Sequence, residues 1–110
     1  MAHEVVFSPE ALNDLLNLYD VIADDGGESR ALRYTDAIVA TCTRLDLFPE
    51  RGTRRDDLRP GLRTTTFRRR VTIAYHISVK TVVIDRVLYG GRDLKPLFDD
   101  DDADDASREN

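Results

Sequence analysis

The chain has 110 residues, 41% hydrophobic and 34% charged, with a formal net charge of −5 and one cysteine. A chain of this length supports one core that buries roughly 65% of the unfolded surface, so a single domain is expected; the length and the want of a glycine-rich phosphate loop argue against a large cofactor-binding α/β enzyme. No apolar run approaches the ~18 residues of a membrane span, no signal peptide opens the chain, and a lone cysteine permits neither an internal disulfide nor a multi-cysteine metal site, so a cytoplasmic compartment without membrane contact is expected.

His3–Phe7 is short and rich in β-formers, a first strand. Ser8-Pro9-Glu10 then reads as a helix start, with a serine cap, proline in the first turn and an acid against the helix dipole. Leu12, Leu15, Leu16, Tyr19, Ile22 and Ala23 recur at helical spacing and predict the core stripe. Asp24-Asp25-Gly26-Gly27 ends this helix. A second helix is predicted from Ser29 to Phe48, with Tyr34, Ala37, Ile38, Thr41, Leu45 and Phe48 as its stripe and Pro49 as its stop. The short Gly-Gly connection returns it antiparallel as a helical hairpin. Cys42, beside that stripe, reads as a small semi-buried filler and not a nucleophile. Leu18 and Val21 fall about 100° and 160° from the first helix's stripe. Leu32 and Val39 are similarly displaced on the second, so the four are expected to be scattered surface residues or an outer groove for an amphipathic partner segment.

Glu50–Gly61 reads as a polar, arginine-rich loop. Three strands follow: Leu62–Phe67, a strand with Val71, Ile73, Tyr75 and Ile77 on one face, and Thr81–Tyr89. Arg68-Arg69-Arg70 takes the place of the first hairpin turn. The order β-α-α-β-β-β predicts an α+β fold, a helical hairpin on one face of an antiparallel sheet, in a domain covering residues 1–98. Residues 99–110, with DDDDADD, are expected to be a disordered acidic tail.

Charge is segregated along the chain. Residues 1–50 carry three basic side chains against ten acidic ones, residues 51–98 twelve against four, and residues 99–110 one against seven. The middle block can build a positive face for phosphates or acidic protein segments; a solvated, internally paired surface is the alternative. No Asp/His/Cys grouping suggests a metal or cofactor. His3 is terminal, His76 points away from the predicted core stripe and reads as a solvated strand residue, and Asp56-Asp57 reads as loop solvation.

The Ser-Pro helix start, the helical hairpin, PERG, LRPGLRTTTF, the three-strand meander and RVLYGGRD, at this spacing over residues 3–98, resemble the RelE/ParE superfamily of type II toxin–antitoxin toxins. The resemblance implies a bacterial cytoplasmic toxin that forms an oligomer with a cognate antitoxin, which silences it. PERGTRRDDLRPGLRT and VLYGGRD resemble the ParE-like branch, understood to inhibit DNA gyrase as proteins with no catalytic residues or cofactor. Target contacts are then expected from Arg68, Arg69, Arg70 and Arg92, with a structural salt bridge as the alternative for Arg92, and antitoxin contacts from Leu18, Val21, Leu32 and Val39. The RelE-like branch, ribosome-dependent mRNA endonucleases, is the alternative. Its nearest equivalents here are Arg54, Arg55, Arg63, Arg86 and Tyr89, but arginine clamps phosphate and shuttles protons poorly, and the lysines usual in that branch's loop are absent. An inactive toxin retained as an antitoxin-binding partner is a third reading.

Overall fold

The computed structural model describes residues 3–90. Its elements are strand β1 (Glu4–Phe7), helices α1 (Pro9–Gly26) and α2 (Glu28–Thr43), two short 3-10 turns (Arg44–Asp46, Pro49–Arg51), and strands β2 (Thr53–Arg54), β3 (Arg63–Phe67), β4 (Val71–Ser78) and β5 (Thr81–Tyr89). They form one five-stranded sheet in the order β1-β5-β4-β3-β2, antiparallel except for the parallel β1–β5 pair. This is the expected α+β architecture with one added edge strand. The predicted tail, Arg92 and the stretch from Gly91 onward lie outside the described residues.

Ser8 joins β1 to α1 in two ways. Its hydroxyl accepts the Ala11 N–H at 3.0 Å, capping the helix, and donates to the Asp85 carbonyl at 2.9 Å. Gly27, at φ 91°, makes the turn between the helices. The phase of α1 differs from the expectation. Ala11, Leu15 and Leu18 are buried, whereas Leu12 and Leu16 are 50% and 65% exposed. Both sets recur at helical spacing, and the one with the small Ala11 lets the helix approach the sheet. The second helix also stops earlier, at Thr43, and the 3-10 turn that follows still buries Leu45 but leaves Phe48 exposed.

The main core lies between the hairpin and the sheet, where Ile38, Cys42 and Leu45 meet Ile73, Tyr75 and Ile84. A smaller cluster of Leu58, Leu62, Ala74 and Leu88 covers part of the other face, so the loop read as polar contributes one residue, Leu58, to a second small core. One irregularity sets the phase of β5. Ala74 pairs with Arg86 but Tyr75 with Ile84, so Asp85 is an extra residue in a bulge. Strict alternation from Val82 and Ile84 would turn Arg86 into the core; the bulge places Val87 there instead.

Tyr75, fully buried, fastens the PERG segment. Its hydroxyl donates to the Pro49 carbonyl at 2.7 Å and accepts the Gly52 N–H at 3.0 Å. Arg63 Nη1 donates to the Glu50 and Gly52 carbonyls at 3.0 and 3.2 Å. A Cβ on Gly52 would overlap the Tyr75 hydroxyl and stand 2.8 Å from the Thr64 carbonyl oxygen. Gly52→Ala is therefore expected to lower the unfolding free energy by about 1–3 kcal/mol, the range for overpacking, with a matching fall in the urea midpoint.

Burial pushes the Cys42 thiol from 9.0 up to about 12 and raises the Tyr75 hydroxyl above its ordinary value, against the pull of the Gly52 N–H, Arg63 and Arg51. Both groups are favoured neutral in the fold. The stability tied to Cys42 is complete below about pH 9 and is lost as pH rises toward 12, at up to ~1.4 kcal/mol per pH unit. The drop in urea midpoint between neutral and alkaline pH should be smaller in Cys42→Ala; an equal drop would show that the thiol ionises alike in both states.

Candidate interaction surface

The β3–β4 turn is built from arginines in an uncommon conformation. Arg68 and Arg69 have φ of 52° and 60°, and the Arg70 N–H closes the turn on the Phe67 carbonyl at 3.1 Å. Two successive left-handed residues fit a right-twisted hairpin, but the positions favour Asn-Gly, and a residue with a Cβ costs roughly 1–2 kcal/mol at each. The tip is tied to the end of β5 by the Gly90 N–H, which donates to the Arg70 carbonyl at 2.8 Å. Arg68 lies over the Phe67 ring at 4.7 Å and the Tyr34 ring at 5.7 Å, and those rings meet edge to face at 5.4 Å. The guanidinium therefore stands on an aromatic pair, which orients it.

A cleft of about 380 Å³ separates this tip from the turn of the helical hairpin. Leu18, Val21 and Ile22 give it an apolar wall, and Arg30, Tyr34, Arg70 and Tyr89 complete it, with Asp25 on the rim. Beside it, Arg30, Arg33 and Arg68 line a second depression with Asp36. The Tyr34 hydroxyl is buried with no hydrogen-bond partner. Burial and the neighbouring Tyr89 raise its pKa, against Arg68 and Arg70, which lower it. Among the described residues, Arg30, Arg68, Arg69 and Arg70 make no ion pair. The arrangement is a cationic surface with an apolar pocket and a spare hydroxyl donor, suited to binding carboxylates or phosphates.

The other named arginines are engaged elsewhere. Arg54 and Arg55 pair with Asp56 and Asp57 at 2.9 and 3.0 Å. The Gly61 N–H, and then Arg54, hold the Asp56 carboxyl below its ordinary range; its hydrogen bond to Arg55 does the same for Asp57. Arg63 holds backbone carbonyls. Arg86 forms a two-pronged pair with Asp14 at 2.8 and 2.9 Å, and the same carboxylate accepts the Val87 N–H at 2.9 Å. Arg54 and Arg63 stand opposite each other in the β2–β3 pair, next to Arg55, whereas Arg86 is held by Asp14 and Tyr89 lines the cleft with Arg70. His76 is not merely solvated: its Nδ1 lies 2.7 Å from Asp85, whose carboxylate also pairs with Arg59 at 3.1 Å.

Of the four apolar residues named for a partner groove, Leu18 is a correction: it is 6% exposed and belongs to the core, because α1 is rotated from its expected phase. Val39 is half-buried against that core. Val21 and Leu32 are exposed, at 63% and 54%, and Leu12 and Leu16 join them. Sequence reasoning missed Asp14, Tyr34 and Tyr75, whose roles depend on partners more than twenty residues away. Among the described residues no group of His, Cys, Asp and Glu is placed to hold a metal ion, and no helix is long and apolar enough to cross a membrane.

The strand–hairpin–meander fold is that of RelE/ParE-type toxins. Residues 5–94 match the family described as ParE toxin of type II toxin–antitoxin system, parDE, and the chain belongs to that family. Its fold is similar to a chain of the chromosomal ParDE toxin–antitoxin system from P. aeruginosa, with TM-score 0.72 and 24% identity over 81% of this chain and 97% of that one. It is also similar to a chain of the RelBE2 toxin–antitoxin complex from Mycobacterium tuberculosis, with TM-score 0.59 and 24% identity over 81% and 99%. No curated protein matches the chain.

Asp14→Ala would leave Arg86 and the Val87 N–H without their acceptor. Breaking such a largely buried pair costs about 3 kcal/mol, so the expected result is a fall of that order in the unfolding free energy by urea titration.

Proposed function

We propose that this toxin inhibits DNA gyrase by presenting a rigid arginine surface, without bond chemistry of its own, and that a cognate antitoxin silences it in the bacterial cytoplasm. The observation that carries this reading is the Arg68–Arg69 turn. A hairpin selected for stability alone would place Asn-Gly there; this one keeps two strained arginines and directs a third, Arg70, into the adjoining cleft. Strain held at an exposed tip is a reason to look for a function of the side chains. The ribosome-dependent nuclease reading has less support, because Arg54 and Arg55 are paired with neighbouring aspartates and Arg63 and Arg86 hold other parts of the fold in place.

Arg68→Asn with Arg69→Gly relieves the strained turn while removing two guanidinium groups. We expect the urea midpoint to hold or rise, while inhibition of supercoiling by purified gyrase weakens at least about tenfold, one charge-assisted contact being worth ~1.5–3 kcal/mol. Full inhibition by the variant would rule out the tip as a target contact. Cleavage of mRNA by the wild-type chain on translating ribosomes, with supercoiling untouched, would favour the nuclease, and inactivity in both assays the retained antitoxin-binding partner.

For the antitoxin, exposed Leu12, Leu16 and Leu32 support docking of an amphipathic segment along the outer hairpin, with Val39 contributing its exposed part. Leu16→Glu with Leu32→Glu is expected to weaken antitoxin binding measured by calorimetry, whereas unchanged affinity would place the antitoxin elsewhere.

A further inference from the structure

The cleft between the hairpin turn and the β3–β4 tip has an unusual combination of features. One wall is apolar, the rim carries Arg30 and Arg70, and the buried Tyr34 hydroxyl is an unused donor. A matching ligand is a short peptide with an apolar pair followed by carboxylates. The chain itself contains one, Leu97-Phe98-Asp99-Asp100-Asp101-Asp102, beyond the family match that ends at residue 94.

We propose that this cleft is a docking site for the chain's own Leu97–Asp102 segment, with Leu97 and Phe98 against Leu18, Val21 and Ile22 and the aspartates on the arginines. Three observations support that occupant. The last described residue, Gly90, borders the depression lined by Arg68, Arg69, Arg70 and Tyr89, so the stretch that leads to Leu97 starts beside the site. Seven residue steps separate Gly90 from Leu97 and span at most ~25 Å, and Tyr89, the residue before Gly90, itself lines the cleft. The charges are complementary: the segment carries four consecutive aspartates, and Arg30, Arg68, Arg69 and Arg70 make no ion pair among the described residues.

Tethering makes weak contacts sufficient. Attachment within one chain gives a segment an effective concentration of the order of mM, so a segment with an intrinsic dissociation constant in that range already occupies the site about half the time. Because the contacts are charge-assisted and partly exposed, occupancy falls when the screening length shrinks from about 10 Å at 0.1 M salt to about 3 Å at 1 M. The docked segment covers Arg70 and screens Arg68. If the proposed gyrase contact uses those residues, gyrase must displace the segment; the docking itself does not depend on the identity of the target.

The test uses the full chain carrying Ala103→Cys and a nitroxide spin label. Cys42, fully buried and with its thiol pushed up to about 12, stays unlabelled. In amide NMR spectra at low salt, loss of signal is expected at Arg30, Tyr34, Arg70 and Tyr89. The signals should recover at 1 M salt, and also when Asp99–Asp102 are replaced by Asn. Arg30→Ser with Arg70→Ser should also restore the remaining cleft signals. Broadening spread evenly over the surface, confined to the Arg54–Arg59 loop, or transferred to an unlabelled copy in a mixed sample would each overturn docking in cis at this cleft. Because the readout is made without gyrase, its failure leaves the proposed target standing, and failure to inhibit gyrase leaves the docking result intact.

Discussion

A four-residue strand cannot cover a nine-residue neighbour, and the structure depends on how the uncovered part is satisfied. β1 pairs with β5 only as far as Ile84. Beyond that point Ser8 donates to the Asp85 carbonyl and Asp14 accepts the Val87 N–H, so two side chains from the start of α1 take over the hydrogen bonding of the absent strand. Buried backbone groups require such partners. The solution fixes α1 in rotation as well as position, since Asp14 can reach Val87 only with Ala11, Leu15 and Leu18 turned inward. Arg86 then neutralises the carboxylate that does this.

The same constraint builds the proposed interaction surface. With α1 held along β5, Leu18, Val21 and Ile22 stand opposite Tyr89 and Arg70, and the gap between them is the cleft. The Gly90 bond to Arg70 couples the end of β5 to the arginine tip, while Phe67 and Tyr34 support Arg68 from below. A cationic surface held in this way loses little side-chain freedom on binding, which is the advantage of a preorganised contact over a mobile basic loop.

Much of this was legible in the chain. Element order, the Ser8 cap, the hairpin position of Arg68–Arg70 and the inert Cys42 follow from local rules, and the family resemblance agrees with the match over residues 5–94. The rotation of α1 was not legible, because Leu12-Leu15-Leu16-Tyr19 and Ala11-Leu15-Leu18-Ile22 are both sound helical stripes; the choice between them rests on a long-range bond to Val87. The bulge at Asp85 leaves no mark on a run such as TVVIDRVLY, and a two-residue strand such as β2 is below the length at which alternation is detectable. The cleft required Tyr34, Arg70 and Tyr89, from three separate elements, to be seen together.

The central proposal is that the arginine tip and the adjoining cleft are the surface through which this toxin meets its target. Hydrogen–deuterium exchange of the chain, free and bound to gyrase, tests it most directly. Protection on binding should concentrate at residues 68–70 and at Tyr89 and Gly90. Protection that instead falls on the sheet face of Arg59, His76 and Asp85, with the tip unchanged, would contradict the account.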